Sequence, residues 1–523
     1  MKHIKNIISA IALAFRAFYP KNVNALGTSF PVPNTTTFAE LQSQASNLAA
    51  EQLWAKGLIL RTYGDYQNNP FGDNMIGTAT PGGKRPMKPV VRVVDTEKVA
   101  GTTINIPLVA GFGQPAVYGN GVRVGNEAKI RTNNLALVIG RAWFGMAYDA
   151  IARDQTKIGG EFDALIKEGL KQLHAKKRSD DIMMRWIQAT GTANGARNLI
   201  LPDGIASSAT LKTANTLTTS LLDKGSQILP GYGANPINLI KDVSGSEMTA
   251  FMLLATHTSL RTLQSEPAYL EAVTRGGERG MKNPNFTGQV QDWNGLSIYR
   301  WINVDHGNKG PVGSPLMPRA LLGVAANAVG NASVLQGGGY SYTAADVPLP
   351  NYFEHFAGAF YTFHNGEVIA QNTGSTRYVL ITNPSGTYGV FPYTTVGTTS
   401  TDANTLTISG AAITVVDANG GTQVTTFVQG ATIQQCNVLG VPWAYSCFMG
   451  ADTVAIGDGS IDGKKVDSAF GLRSEYTTPY GTGFGVGAEA VHGSVAVVRQ
   501  DGLYPNFLLA QHALPSVSAP TVV

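Results

Sequence analysis

The chain has 523 residues, 14% of them charged, and a formal net charge of +4. That length exceeds one ordinary core, so roughly two to four domains or one elaborated domain is expected, and the small charge gives no whole-protein electrostatic case for nucleic-acid binding, only for local patches. The 60 Gly and 26 Pro argue against a helical bundle and favour a fold rich in β-structure and loops.

The amino-terminal stretch MKHIKNIISAIALAFRAF has a basic start and an apolar run, and Val23-Asn24-Ala25 reads as a signal-peptidase site. Against export, Ile4, Ile7, Ile8, Ile11, Phe15 and Phe18 recur at helical spacing opposite Lys5, Ser9, Ala12 and Arg16, the pattern of an amphipathic helix. Residues 1–18 are therefore expected to form a retained helical arm, whose basic face either meets nucleic acid or membrane or is simply solvated. No other segment reaches the roughly 18 uninterrupted apolar residues of a membrane span.

A helical pattern runs from Phe38 to Tyr63, and the Gly-, Pro- and Asn-rich stretch from Asn68 to Pro89 is expected to be loop. Ile104, Ile106 and Leu108 then alternate, Gly111 to Gly125 turns the chain, and Leu135, Leu137 and Ile139 alternate on the return, which describes a long hairpin. Glu161 to Thr190 is the strongest helix, with Phe162, Leu165, Ile166, Leu173, Ile182, Met183, Trp186 and Ile187 on one stripe and Gly191 just beyond its end. At 1.5 Å per residue it would span about 45 Å.

Helical and extended patterns mix from Ala196 to Asn308, including an amphipathic stretch from Ser246 to Leu263. Within NPNFTGQVQDWNGLSIYR (Asn283 to Arg300), Asn294-Gly295 is a hairpin turn signal. That stretch holds one acid, Asp292, one base, Arg300, and neither His nor Cys, so it specifies backbone shape more than chemistry. From Gly310 to Gly440 the composition shifts to Thr, Gly, Ser, Asn and Val. Leu406 to Ile408, Ile413 to Val416 and Val424 to Val428, around Asn419-Gly420-Gly421, read there as a β-rich insertion. No fixed-period repeat is evident. From Val441 the chain is apolar again and ends in alternating segments, Gly493 to Arg499 among them. The fold class is α+β.

Motifs that could carry chemistry are incomplete. GDGSIDGKK (Gly457 to Lys465) lacks the first Gly and the Ser or Thr of a phosphate loop, and as a calcium loop it places Ala469 where a bidentate Glu belongs. A surface turn is the simpler reading. Gly483, Gly485 and Ala488 match a dinucleotide fingerprint by spacing only. His355, His364 and Glu367 could be imagined as metal ligands, but they sit among Phe353, Phe356, Phe360, Tyr361 and Phe363 and are better read as histidines of an aromatic core. Cys436 and Cys447 lack zinc-type spacing and are expected to be buried free thiols. No GxSxG or HExxH string occurs.

Four segments, in order, resemble the major capsid proteins of tailed phages with the Hong Kong 97 fold, most specifically the family shared with N-four-type podophages. PVVRVVDTEKVAGTTINIPLV (Pro89 to Val109) resembles the entry into the extended loop. RDQTKIGGEFDALIKEGLKQL with DDIMMRWIQATG (Arg153 to Gly191) resembles the spine helix. NPNFTGQVQDWNGLSIYRWINV (Asn283 to Val304) is similar to the family's hairpin. CFMGADTVAIG with YGTGFGVGAEAVHGSVAVVR (Cys447 to Gly457, Tyr480 to Arg499) resembles its carboxy-terminal strands. PRALLGVAANAV (Pro318 to Val329) also resembles the segment starting at Cys447, so two starts for the insertion stay open.

The resemblance implies an organisation of 1–90 amino-terminal arm, 91–150 extended-loop hairpin and return, 151–195 spine helix of the P domain, 196–309 A domain, 310–440 β-rich insertion, and 441–523 strands completing the P and A domains. It implies a structural protein without enzymatic activity, cofactor or metal. Such a protein self-assembles into hexamers and pentamers of an icosahedral shell around double-stranded DNA, in the virion capsid and assembled in the bacterial cytoplasm. Implied partners are further copies of itself, scaffolding, portal and decoration proteins, and non-specific genomic DNA on the inner face, with no membrane. No built-in acidic scaffold is identified, which implies a separate scaffolding protein or none, and no Lys–Asn cross-link pair is identified. Expected assembly contacts are Phe15 and Phe18 in the arm, Ile104, Ile106 and Leu108 in the hairpin, and Trp186 holding the helix to its sheet. Lys176, Lys177 and Arg178 are either the solvated stripe of the helix or a genome-facing cluster. A secreted β-rich adhesin with a mature start at Leu26, and a hydrolase with an irregular site, stay open on the sequence alone.

Overall fold

In the computed structural model the described residues are 35–36, 75–79, 87–93, 103–109, 132–149, 178–179, 181–241, 247–276, 293–301, 316–317, 319–322, 325–330, 333–336, 360–363, 367–370, 377–396, 405–413, 422–458, 471–476, 483–499 and 502–514. The expectations for the arm with Phe15 and Phe18, the Phe38–Tyr63 helix, Lys176 and Lys177, His355 and His364, and most of GDGSIDGKK fall outside them.

The chain lays down β1 (Thr35–Thr36), β2 (Ile76–Ala79), β3 (Val90–Val93), β4 (Thr103–Val109), β5 (Thr132–Val138) and β6 (Gly140–Asp149). Residues 178–179 and 181–190 are helical (α1). Then come β7 (Leu199–Ile200), α2 (Thr219–Gly231), β8 (Ile237–Lys241), β9 (Glu247–Thr256), α3 (His257–Ser265), α4 (Pro267–Gly276) and β10 (Leu296–Trp301). Strands β11 (Arg319–Leu321), β12 (Val334–Gln336), β13 (Phe360–Phe363), β14 (Glu367–Ala370), β15 (Arg377–Thr382), β16 (Tyr388–Val396), β17 (Thr405–Ile408) and β18 (Thr432–Cys436) follow. The chain closes with β19 (Trp443–Met449), β20 (Val454–Asp458), β21 (Gly471–Tyr476), β22 (Gly483–Ala496) and β23 (Phe507–Ala513). The architecture is mixed α+β with few helices and many strands. No helix among the described residues is long and apolar enough to cross a membrane.

Three larger sheets result. The first runs β1-β6-β22-β20-β3-β2, with β21 also paired to β22; the second runs β10-β9-β19-β23-β7, with β8 on β9; the third runs β11-β18-β15-β16-β17-β12. β4–β5 and β13–β14 form separate two-stranded pairs. β10 lies parallel to β9, an arrangement that requires a crossover, and α3 and α4 occupy it.

The second sheet is buried on both faces, and its pleat divides the side chains between two cores. Met252 and Leu254 of β9, Cys447 and Met449 of β19, and Phe507 and Leu509 of β23 join Met183 and Trp186 of α1. The intervening Leu253, Ala255, Phe448, Leu508 and Ala510 join Leu221, Leu222 and Leu229 of α2 and Leu260 and Leu263 of α3. The third sheet has its own core, drawn from Leu322 through Ile433.

Sequence expectations and structure part company at several points. The Ser246–Leu263 stretch is strand to Thr256 and helix only from His257. Its apolar run is a strand buried on both faces, which periodicity does not separate from a helix. The Asn68–Pro89 segment contains β2. Val90 N donates to Met75 O at 3.1 Å, and both residues are in the core, so tertiary pairing overrides a loop-like composition. Gly483, Gly485 and Ala488 lie inside β22, so no glycine turn opens a helix there and the dinucleotide match is void. Val424–Val428 is not a continuous strand. It makes isolated contacts, Val424 N to Tyr388 O at 2.8 Å and a reciprocal bridge between Phe427 and Ala326 at 2.8 and 2.9 Å.

Other expectations agree with the structure. Leu135, Leu137 and Ile139 are buried while Ala136 and Val138 are exposed, and β5 pairs antiparallel with β4. Helix α1 ends at residue 190, and Gly191 N caps onto Ile187 O at 3.1 Å. Asn294 (φ 43°) and Gly295 (φ 78°) make a two-residue turn closed by reciprocal Trp293–Leu296 bonds of 2.9 and 2.8 Å, the left-handed pair that selects Asn-Gly. Asp223 of α2 anchors it, accepting from Trp293 Nε1 at 2.9 Å and Asn294 Nδ2 at 3.2 Å.

Candidate assembly site at the hairpin base

The β4–β5 pair is a ribbon with no third strand among the described residues, and an isolated two-stranded ribbon is marginal in water. Its base is held from below. Leu137 and Ile139 pack with Ala455 of β20, with Ile106, Val495 and Val497 against the same cluster. Burying a leucine-sized side chain there contributes about 2 kcal/mol. On the opposite face Ala136 and Val138 are exposed, Val138 at 48%. The chain passes from β5 into β6 through Ile139 alone, and Gly140 pairs with His492 of β22. Gly493 makes that crossing feasible, since a Cβ there would lie 2.1 Å from Val138 O and 2.9 Å from its carbonyl carbon.

The other face of the same strands receives α1. Asp181 Oδ2 lies 3.0 Å from His492 Nε2, with both side chains about 10% exposed. Arg185 Nε donates to Ser494 Oγ at 3.1 Å, and its Nη1 donates to Gln188 Oε1 at 3.1 Å. Burial depresses the Arg185 pKa and the nearby Asp181 charge opposes that shift. Trp186, fully buried, donates from Nε1 to Thr453 Oγ1 at 3.3 Å. Thr453 in turn donates from Oγ1 to Pro89 O at 2.8 Å and from its backbone N at 2.7 Å. Val90, Val454, Ile456 and Ala496 complete the apolar contact with α1.

Of the residues expected to make assembly contacts, Ile106 is half-buried at the hairpin base. Ile104 and Leu108 stand in β4 opposite Leu137 and Asn133. Trp186 makes its contacts within the chain. Arg178 is half-buried near the start of the described part of α1, three residues before Asp181. The sequence reading did not single out Asp181, Arg185, His492, Gly493 or Ser494. The available signal was a glycine inside a strand, which often marks a close backbone approach.

The described chemistry is quiet. Among the described residues no three His, Cys, Asp or Glu converge as metal ligands. Cys436 and Cys447 are free and buried, and burial pushes both thiols well above their usual range, which suppresses the reactive thiolate. His512 is fully buried between Ser446 Oγ, 2.9 Å from Nε2, and the Ala513 carbonyl, 3.2 Å from Nδ1. Both nitrogens are satisfied when the imidazole is neutral, and burial lowers its pKa to about 4 against a weaker opposing pull from Ala513.

A family model described as phage capsid protein matches residues 39–314. No curated protein matches the chain. Among solved structures, the capsid of Ralstonia phage GP4 aligns with a TM-score of 0.47 at 11% identity, covering 86% of this chain and 92% of its own. The cyanophage Pam1 capsid aligns at 0.48 and 13%, covering 86% and 94%. The acid-stable capsid of Helicobacter pylori bacteriophage KHP30 aligns at 0.44 and 10%, covering 86% and 92%.

Proposed function

Because this chain belongs to the phage capsid protein family and is a major capsid structural protein, we propose that it builds the icosahedral shell of a tailed phage as hexamers and pentamers, on a Hong Kong 97-type fold of the N-four-type group. The adhesin reading is not favoured by this family membership. The observation that carries the proposal is the β4–β5 ribbon, seated at its base and exposing Ala136 and Val138 on its outer face. Heterologous contacts repeated around rings stabilise such projections by laying each across the next copy. Obligate interfaces of this kind bury roughly 2,000 Å² or more, so folding and assembly become linked equilibria.

In this reading residues 1–90 form the arm, 91–150 the extended loop and its return, 151–195 the spine helix, 196–309 with 441–523 the A and P domains, and 310–440 an insertion on the outer surface. Phe15 and Phe18 of the arm and Ile104, Ile106 and Leu108 of the hairpin contact neighbouring copies. Lys176, Lys177 and Arg178 face packaged double-stranded DNA without sequence preference. Scaffolding, portal and decoration proteins are the other partners, and assembly takes place in the bacterial cytoplasm.

The test is Val138→Asp, which places a charge on the exposed face without entering a core. Sedimentation velocity should show rings or larger particles for the parent chain and a monomer with an unchanged melting midpoint for the variant. Equal assembly by both would remove the hairpin from the interface.

A further inference from the structure

We propose that strand β22 is a strut that couples the seating of the β4–β5 hairpin to the docking of helix α1, so that a load on the hairpin is felt at the helix. The inference rests on the hairpin's proposed role only for its biological use, since the coupling itself is a property of the single chain.

Successive strand side chains point to opposite faces, and β22 uses both. His492, Ser494 and Ala496 face α1 through Asp181, Arg185 and the apolar core. Gly493 and Val495 face the hairpin base, the first by backbone contact with Val138 and the second by packing near Leu137 and Ile139. Neighbouring β20 repeats the division, with Val454 and Ile456 toward the helix and Ala455 toward the hairpin, in direct register with Ala496, Ser494 and Val495. One sheet layer therefore separates two elements that do not touch each other through these residues.

The contacts have little slack. The Asp181–His492 and Arg185–Ser494 distances are 3.0 and 3.1 Å, so a shift of about 0.5 Å in β22 takes both beyond good hydrogen-bond length. On the other face, Gly493 has no side chain to absorb movement of Val138. A displacement of the hairpin base is passed to β22 backbone first, and from there to Asp181 and Arg185 of α1. Linkage makes the effect reciprocal.

Hydrogen exchange on the full-length chain tests this from both sides. Asp181→Asn combined with Arg185→Met weakens the helix face and leaves the hairpin residues intact. Leu137→Ala weakens the hairpin face and leaves the helix residues intact. Each should accelerate exchange in the untouched element, β4–β5 or residues 181–190, by about fivefold or more, with β15–β16 amides unchanged. Acceleration confined to the mutated side would overturn the coupling, and so would a uniform loss of protection that includes β15–β16, which would be ordinary global destabilisation. Ser494→Ala, a smaller perturbation, should show the same pattern with lower amplitude, and its absence there with a full effect in the double variant would place the coupling in Asp181–His492. None of these outcomes depends on shells forming, so failure here and failure of the capsid reading are separate results.

Discussion

The β11–β18 sheet and the stack of hairpin, first sheet and α1 are both well buried, but they collect their residues differently. The sheet's core, from Leu322 to Ile433, comes from one continuous part of the chain. The stack gathers Met75, Val90, Trp186, Val454, Ala496 and Phe507 across more than 400 residues. A change in the first should stay local, because its strands pair largely with one another. A change in the second should travel, because β20 and β22 each serve two faces. Just after β18, Asn437 ties the third sheet to the segment before α2, its Nδ2 donating to Leu211 O at 2.7 Å while its Oδ1 accepts from Leu439 N and Val441 N, both at 3.0 Å.

The comparison is most severely tested by Trp186→Ala. Losing this fully buried side chain should lower unfolding free energy by about 3–5 kcal/mol and abolish assembled particles, while β15–β16 amides keep their protection. The converse is Phe427→Ala. Phe427 is fully buried and packs edge-on to Phe391 at 5.9 Å and 82°, so about 3–4 kcal/mol should be lost within the third sheet, with hairpin exchange unchanged.

Acid should act on the second sheet through His512. Its folded pKa, about 4, lies below the ordinary 6.5, so the unfolded chain takes up a proton first as pH falls. The stability from keeping the imidazole neutral is complete above pH 6.5 and is lost progressively toward pH 4, by about 3 kcal/mol in total. Melting midpoints across that window should fall for the parent chain and fall less for His512→Gln compared with its own value at pH 7.5.

Two smaller effects complete the set. Asn437→Ala should cost about 1–3 kcal/mol by stranding buried partners at the junction, and limited proteolysis should then cut between β18 and β19. Gly225→Ala gains up to about 1 kcal/mol of helix propensity but puts a Cβ 2.4 Å from Phe448 Cε1, a clash of about 1–3 kcal/mol. The expected net is a loss of roughly 1 kcal/mol of unfolding free energy, read as a lower urea midpoint at unchanged slope.

How much of this was legible in the sequence depends on the range of the contact. The Asn294-Gly295 turn could be read because two positive φ angles favour that dipeptide. The Leu135, Leu137, Ile139 alternation could be read because only one face of β5 is buried. β9 was obscured because Met252 and Leu254 enter one core while Leu253 and Ala255 enter the other, erasing the polar half of the period. The Asp181–His492 and Arg185–Ser494 anchors were hidden by separations of 311 and 309 residues and by residue types that are unremarked on any strand or helix. Gly493 carried a local hint, yet the carbonyl it accommodates belongs to Val138, which no local pattern identifies. The capsid resemblance supplied an element order that physical patterning alone did not.

The central claim, a subunit that builds a shell, is tested most directly by negative-stain electron microscopy of the chain expressed alone and with a scaffolding protein. Closed shells, or rings of five and six, are the predicted result; a clean monomer under both conditions would contradict it.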